Sequence, residues 1–216
     1  MPETIEFKIL YFILILICIT MHEFGHAYAA YKLGDPLPKA MGRVTLNPLA
    51  HSDIVGTIIL PFVMIFATQG MVLFGWGKPV IVSLPNPKTR VRDDILTSLA
   101  GPAMNLLLAF VGTLVFSAGA YFGSKYTVQV GQLFIIVNCA LFVFNMLPVP
   151  PLDGSHFLRY ALNISNEAYL KIEQYGFWIL LALIFLTPFG LVLSRIISLL
   201  YSGFENIAAL LVSIAS

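Results

Sequence analysis

The chain has 216 residues, of which 58% are hydrophobic and only 11% are charged, whereas about a quarter of the residues in a soluble domain are charged. Twelve basic and eleven acidic residues are too few to cover a soluble protein of this size, so the composition predicts a membrane protein. The net charge of +1 offers no basic surface, and we expect no nucleic-acid partner. Cys18 and Cys139 lie in apolar runs, where we expect small core residues rather than a disulfide or thiolate ligands.

Five apolar segments are candidate membrane spans, since about 20 apolar residues cross the hydrocarbon core as a helix. The first segment has no basic start and no small-residue cleavage pattern, which disfavours a signal peptide. Pro188 and Gly190 should kink or break the last segment, and the residues after it either lie at the interface or extend the final helix. We therefore predict an all-α polytopic membrane protein, a single domain over residues 1–216, with spans near 9–31, 54–76, 95–122, 128–147 and 175–200.

The sequence HEFGH at residues 22–26 matches the pattern H-E-x-x-H. On a helix, His22 and His26 lie one above the other, so both imidazoles can bind one metal ion. Glu23 lies beside this pair and can take a proton from a zinc-bound water, then pass it to a leaving amine. The alternative is a pair of polar residues hydrogen-bonded to neighbouring helices. That alternative leaves Glu23 without a purpose at membrane depth, where ionisable groups are costly and usually functional.

A catalytic zinc site normally has three protein ligands, so one more ligand is required. Asp153 is the best candidate, because among the acidic residues outside the motif it alone follows an apolar span without an intervening charge. Pro148, Pro150 and Pro151 prevent regular helix in its segment, and Gly154 permits a sharp turn. Irregular backbone at this depth needs a covering of protein or a watery cavity. The alternative is a Pro-rich interfacial loop in which Asp153 caps the following helix.

HEFGH in a membrane helix, followed much later by NMLPVPPLDG at residues 145–154, closely resembles the site-2 protease family of intramembrane zinc metalloproteases. Both signatures of that family, H-E-x-x-H and N-x-x-P-x-P-x-x-D-G, are met. Three further segments look like those of its compact prokaryotic members without appended soluble domains: LNPLAHSD at 46–53, FGWGKPV at 74–80 and AGPAMN at 100–105.

The resemblance implies that His22, His26 and Asp153 bind one Zn²⁺ per chain and that Glu23 is the catalytic base. Asn145 matches the Asn of the second signature and would serve the substrate backbone or the developing oxyanion as a hydrogen-bonding group. The implied activity is cleavage of a peptide bond in or near a transmembrane segment of a membrane-protein substrate within the lipid bilayer. A metal ion transporter and an inactive scaffold that binds membrane helices are the alternatives, and the oligomeric state stays open.

The proposed ligands constrain the membrane topology. If Asp153 meets the histidines, the first and fourth spans finish on the same side of the membrane. The chain between the first and third spans then starts and ends on that side, so residues 54–76 cannot be one simple crossing. Either residues 75–85 return through the membrane in extended form, or residues 54–76 form a re-entrant hairpin bent at Pro61 or Gly70.

The basic residues indicate which side this is. At most three of them fall on the opposite side, namely Lys8, Lys125 and, if the last span is a full crossing, Arg195, while Lys78 is unassigned. Eight fall on the side of the proposed site, namely Lys32, Lys39, Arg43, Lys88, Arg90, Arg92, Arg159 and Lys171. This excess predicts that the site lies nearer the cytoplasmic face of a prokaryotic cell membrane.

Four further polar residues have open roles. Asn105 and Asn138 are amides within apolar spans, for which interhelical hydrogen bonds are the ordinary explanation, although Asn138 could also support the site. His51 is either a satisfied loop histidine or a residue that contacts the site or the substrate. For His156 we favour a loop or supporting role over that of a ligand.

Overall fold

The computed structural model describes residues 4–67 and 75–215. The chain divides into two compact units, Met1–Met104 and Asn105–Ser216, and each is described by itself. All regular secondary structure within these described ranges is helical, which confirms the predicted all-α class. The prediction of a single domain over residues 1–216 stays a prediction.

The first unit is built around α1, Ile5–Lys32, whose 28 residues span about 42 Å. The helix ends in a Schellman motif, in which Gly34 has a φ of 97° and the N–H of Asp35 donates to the carbonyl of Ala30. The elements that follow are α2 (Leu37–Ala40), α3 (Pro48–His51), a π-helical segment (Ile54–Ile59) that continues into α4 (Leu60–Ala67), and α5 (Arg90–Tyr121), which extends into the second unit.

The α4 helix packs along the N-terminal half of α1 in the opposite direction. The rings of Phe12 and Phe62 meet edge to face with centroids 5.7 Å apart, and the ammonium of Lys8 lies 5.7 Å from the ring centre of Phe66. The helix continues through Pro61 to Ala67, so the predicted hairpin bend at Pro61 does not form. A preceding π-helical turn widens the backbone there, which is a known way to accommodate such an irregularity.

The carboxylate of Asp35 joins the start and the end of the stretch between α1 and α5, residues 33–89, which is called the excursion below. It accepts hydrogen bonds from the Leu37 N–H at 3.0 Å, from the Ser83 N–H and hydroxyl at 2.5 and 2.7 Å, and from the Leu84 N–H at 3.0 Å. The excursion therefore starts and ends at one place, as the topology argument predicts. Burial raises the pKa of Asp35, but the hydrogen bonds led by Ser83 outweigh it and hold that pKa below its ordinary value.

Residues 75–86 form an extended segment without helix. At its start, Gly77 forms an isolated antiparallel bridge with Ser52 and lies against Glu23. At its end, Ser83 binds Asp35. Six extended steps cover about 20 Å, and the nine helical steps from Glu23 to Lys32 cover about 14 Å, with Asp35 three residues further on. The segment therefore runs beside the C-terminal half of α1.

This course agrees with the extended-return alternative for residues 75–85. The other predicted bend, at Gly70, lies outside the residues that the structure describes. The described part of the predicted span 54–76 is the helical stretch Ile54–Ala67, which is shorter than a full crossing.

The second unit contains the remainder of α5 together with α6 (Lys125–Asn145), α7 (Gly154–Ala161), α8 (Asn166–Leu186) and α9 (Phe189–Ala215). Glycines let α5 and α6 approach closely, since a Cβ at Gly131 would lie 2.5 Å from the nitrogen of Phe116. Such contacts are typical of membrane helices, which associate through close packing rather than through exclusion of water. Four side chains of α9 pack on the core of this unit, namely Ile197, Leu200, Tyr201 and Phe204.

Five helices in the described part of the chain are long and apolar enough to cross a membrane: α1, α5, α6, α8 and α9. The predicted spans 9–31, 95–122 and 128–147 coincide closely with α1, α5 and α6. The predicted span 175–200 instead covers parts of two helices, because α8 ends at Leu186 and α9 begins at Phe189. The break lies at Pro188, which lacks an N–H for the helical ladder, and the residues after 200 extend α9.

Candidate metal centre

Two histidines of α1 are aimed at one point. His22 and His26 are one helical turn apart, and their Nε2 atoms lie 3.0 Å from each other. Both side chains are buried, with 7% and 9% of their surface exposed. The i, i+4 spacing in a continuous helix therefore produces the pair that the sequence predicts.

The backbone of α5 orients one of these rings. The Nδ1 atom of His26 lies 2.7 Å from the carbonyl oxygen of Thr97. A carbonyl can only accept, so Nδ1 carries the proton and the lone pair is on Nε2. This is the arrangement that outer hydrogen bonds impose on metal-binding histidines.

Small residues let α1 and α5 approach at this level. A Cβ at Gly25 would lie 2.7 Å from the carbonyl oxygen of Ala100. A Cβ at Gly101 would overlap the Nε2 of His26 and would lie 2.8 Å from the Cε1 of His22. The space in front of the two imidazoles therefore exists because residue 101 has no side chain.

The donor set fits a zinc ion. Two nitrogens bound tetrahedrally at 2.0–2.1 Å are about 3.3 Å apart, and the observed separation of 3.0 Å between the Nε2 atoms is close to this value. The Nδ1 hydrogen bond of His26 leaves its Nε2 lone pair available to a metal. Gly101 keeps the adjoining volume clear. Imidazole nitrogens are among the preferred ligands of zinc.

Glu23, which follows His22 on α1, lies against the extended segment. Its side chain is buried, with 9% of its surface exposed. A Cβ at Gly77 would lie 2.7 Å from Glu23 Oε1 and 2.9 Å from its Cγ. The chain therefore passes directly against this carboxylate at a position that has no side chain.

In the second unit, Asn145 and Asp153 flank the Pro-rich segment. Asn145 is the last residue of α6, and its Nδ2 donates to the carbonyl of Leu141 at 2.9 Å. Asp153 immediately precedes α7, but its side chain makes no capping hydrogen bond there. Asp153 is therefore the N-cap of α7 by position, without a capping hydrogen bond from its side chain. Gly154 permits the tight return, since a Cβ at this residue would lie 2.7 Å from the carbonyl oxygen of Leu147.

The remaining sequence candidates have structural partners. Asn105 Nδ2 donates to Asn138 Oδ1 at 3.0 Å, which is the ordinary interhelical hydrogen bond. The ring of His156 packs on that of Tyr169 with centroids 5.7 Å apart. His51 is fully buried, and its Nε2 donates to the carbonyl of Thr45 at 2.8 Å. Burial lowers the pKa of His51, opposed in part by the Thr45 hydrogen bond, and the contact with Thr45 is one that an ordinary loop histidine makes.

Arg43, which the sequence marks only as a positive charge on one side of the membrane, is buried, with 3% of its surface exposed. Its guanidinium donates to the carbonyls of Ala50, Lys78 and Pro79. Burial lowers the pKa of Arg43, while the carboxylate of Glu23 raises it. No spacing pattern marks this residue, and the only available signal is an arginine within the short, otherwise uncharged stretch between Lys39 and Asp53.

Comparisons with known proteins bear on the family of the chain. A family model described as Peptidase family M50 matches residues 10–130 and 122–187. The chain is 38% identical over 186 residues to a Bacillus subtilis protein named "Putative zinc metalloprotease YwhC", a match that covers 82% of this chain and 80% of that protein. It is 34% identical over 176 residues to "Putative zinc metalloprotease Rip2" of Mycolicibacterium smegmatis, covering 80% of this chain and 65% of that protein. No solved structure matches the chain.

Proposed function

Since the chain belongs to peptidase family M50, the site-2 protease family, and is therefore a zinc metallopeptidase with membrane helices, we propose that it hydrolyses a peptide bond in or near a transmembrane segment of a membrane-protein substrate. The observation that carries the proposal is the buried pair of imidazoles with Nε2 atoms 3.0 Å apart, next to the carboxylate of Glu23. The family match favours this activity over a metal ion transporter or an inactive scaffold.

Three residues of the chain would hold the zinc ion, one ion per chain. His22 and His26 supply two nitrogens of the required separation. Asp153 is the proposed third ligand, which agrees with its place in the second family signature. A carboxylate oxygen with two imidazoles is a common ligand set for catalytic zinc.

When bound, zinc makes a water acidic and polarises the scissile carbonyl. Glu23 would take the proton of the attacking water and pass it to the leaving amine, as a general base and then a general acid. Its burial favours this role, because a buried carboxylate that packs against Gly77 is held in one position. Asn145 would donate to the substrate backbone or to the developing oxyanion.

The substrate must present its backbone in extended form, because helical hydrogen bonds and side chains shield its carbonyls. Residues 80–82 of the extended segment make no backbone hydrogen bond to other described residues. An extended peptide could pair with this edge, in the manner of a strand added to a sheet. The segment leads directly from Glu23, so a peptide paired there would be close to the base.

The protein would reside in a prokaryotic cell membrane as a multi-pass protein. The five apolar helices and the family support a multi-pass membrane protein. The excess of basic residues on the side where α1 ends supports a site nearer the cytoplasmic face.

The test is cleavage of a purified model transmembrane substrate by full-length protein in lipid vesicles. Glu23→Gln should abolish cleavage, with a fall in kcat of at least about 100-fold, and should keep its zinc. Glu6→Gln, an exposed residue of the same helix, is the matched control and should cleave as wild type. Cleavage by Glu23→Gln at the wild-type rate would contradict the proposal.

Zinc content tests the ligand set separately. Wild-type protein should contain one zinc per chain, and Asp153→Ala should lose it. Glu167→Ala, an exposed carboxylate of α8, should retain the metal. Full zinc occupancy in Asp153→Ala would remove this residue from the ligand set.

A further inference from the structure

The residues that hold the extended segment beside Glu23 include one buried cation. Arg43 lies between α2 and α3, and its two terminal nitrogens donate to the carbonyls of Ala50, Lys78 and Pro79. The last of these hydrogen bonds is 2.7 Å long. The guanidinium therefore ties residue 50, at α3, to two successive carbonyls of the extended segment.

The burial of the Arg43 guanidinium is costly in free energy. Arg43 has 3% of its surface exposed, and its Nε is buried without a hydrogen-bond partner among the described residues. Burial of a charge with an unsatisfied donor costs stability. A cation retained at that cost must supply something that an apolar side chain of the same size cannot.

The extended segment needs donors for its carbonyls. Non-helical backbone at membrane depth must have its polar groups satisfied by protein or by water. The Lys78 N–H donates to the carbonyl of His51 at 2.8 Å, but the carbonyls of Lys78 and Pro79 face Arg43. The planar guanidinium thus supplies the donors that a neighbouring β-strand would otherwise supply to these two carbonyls.

The same stretch borders the catalytic carboxylate. Gly77 precedes the two carbonyls that Arg43 binds, and a Cβ on it would lie 2.7 Å from Glu23 Oε1. Any sliding of residues 77–79 would therefore press on Glu23 or leave it without its neighbour. A misplacement of about 1 Å at a catalytic group can cost about 100-fold in rate.

We propose that Arg43 is a positioning residue for peptide cleavage, which holds residues 77–79 against Glu23 through the fork geometry of its guanidinium. This inference rests on the proposed function, since it assigns Arg43 a part in the same reaction. Arg43 acts through the extended segment and makes no contact with substrate in this scheme.

The experiment compares Arg43→Met and Arg43→Lys with wild type on the same transmembrane substrate. Methionine fills the space without donors, and lysine keeps the charge without the fork. Both variants should lower kcat by about 10- to 100-fold, with a smaller effect on KM and with wild-type zinc content. Lys88→Met, which removes an exposed cation of the same unit, is the control and should keep wild-type kcat.

A second measurement follows the segment itself. Val80→Cys places a thiol on the half-buried residue after Pro79, and the native Cys18 and Cys139 are buried, so a thiol reagent reports mainly on position 80. Adding either Arg43 substitution to Val80→Cys should make that thiol react several-fold faster. If Arg43→Met fails to retain zinc, the Arg43→Lys variant decides the result.

Wild-type kcat in Arg43→Lys would overturn the inference, because charge alone would then suffice. Reduced kcat with unchanged reactivity at position 80 would also overturn it, because Arg43 would then act without moving the segment. Neither outcome touches the proposed function, which fails only if Glu23→Gln retains cleavage.

Discussion

The Nδ1 of His26 donates to the carbonyl oxygen of Thr97 at 2.7 Å, across 71 residues of sequence. This bond joins α1 to α5 and places the Nε2 lone pair of His26 on the side of the His22 Nε2, 3.0 Å away. The position of α5 against α1 is therefore part of the proposed metal site, although α5 supplies none of the proposed ligands.

Gly101→Ala tests this dependence. A Cβ at residue 101 would overlap the His26 Nε2 and press on the His22 ring, so the two imidazoles must separate. We expect zinc affinity to fall by about 10- to 100-fold, comparable to the loss of an outer hydrogen bond in other zinc sites. Metal analysis of purified protein after dialysis against a weak chelator measures this.

The matched control is Gly203→Ala on α9, where an added Cβ would meet no heavy atom within 4 Å. Alanine has the higher helix propensity, so this variant should keep its zinc and lose no stability. Equal zinc retention in both variants would show that the contact at Gly101 is unimportant.

Gly77→Ala should impair cleavage without removing the metal. The added Cβ would lie 2.7 Å from Glu23 Oε1, so the carboxylate must move while the two histidines stay in place. We expect kcat to fall by at least about 10-fold. The measurement is a parallel assay of kcat and zinc content. Loss of zinc together with activity would mean that Gly77 supports the ligands rather than Glu23.

Asp35→Asn should destabilise the first unit in a pH-dependent way. Four hydrogen bonds converge on this carboxylate, and we expect a loss of about 2 kcal/mol in the free energy of unfolding at pH 7. The pKa of Asp35 is lowered in the folded protein, so its stabilisation is present above the unfolded value of about 3.9 and is lost as pH falls through the folded value.

Thermal unfolding in detergent at several pH values measures this effect. The difference in Tm between wild type and Asp35→Asn should be largest near pH 7 and should shrink below about pH 4. Glu167→Gln, an exposed carboxylate, should show little difference at either pH. A constant Tm difference across this range would contradict the account of Asp35.

The Asn105–Asn138 hydrogen bond should be structural. A double-mutant cycle with Asn105→Ala and Asn138→Ala should give a coupling energy of about 0.6 kcal/mol, the average for interhelical hydrogen bonds in a membrane protein. Each single variant that folds should cleave with wild-type kcat. Gln129→Ala, an exposed amide of α6, is the control. A large fall in kcat for Asn138→Ala alone would instead assign that residue to the site.

Much of the candidate site follows from local sequence. His22 and His26 face one point because a continuous apolar run forms a helix and residues four apart share its face. The five long helices follow from apolar length in the same way, apart from the division of the last predicted span. There the hydropathy is continuous across Leu186 and Phe189, and only the backbone chemistry of Pro188 separates α8 from α9.

The partners of the polar residues were not predictable in this way. Asp35 binds Ser83 across 48 residues, and Arg43 binds Lys78 and Pro79 across 35 and 36. Nothing in the spacing of these residues indicates that they meet, because such contacts depend on the course of the whole excursion between α1 and α5. Hydropathy alone also left two courses open for residues 75–85. The contacts with Asp35, Arg43 and Glu23 agree with the extended course.

The composition of the chain thus establishes a membrane protein. Helical periodicity, which acts over one or two turns, establishes a histidine pair with an adjacent carboxylate. The folded chain adds what surrounds them: the carbonyl of Thr97 that orients His26, the space at Gly101, and the extended backbone that Arg43 holds against Glu23. These features arise from hydrogen bonds between distant segments, which exist only when the helices have packed.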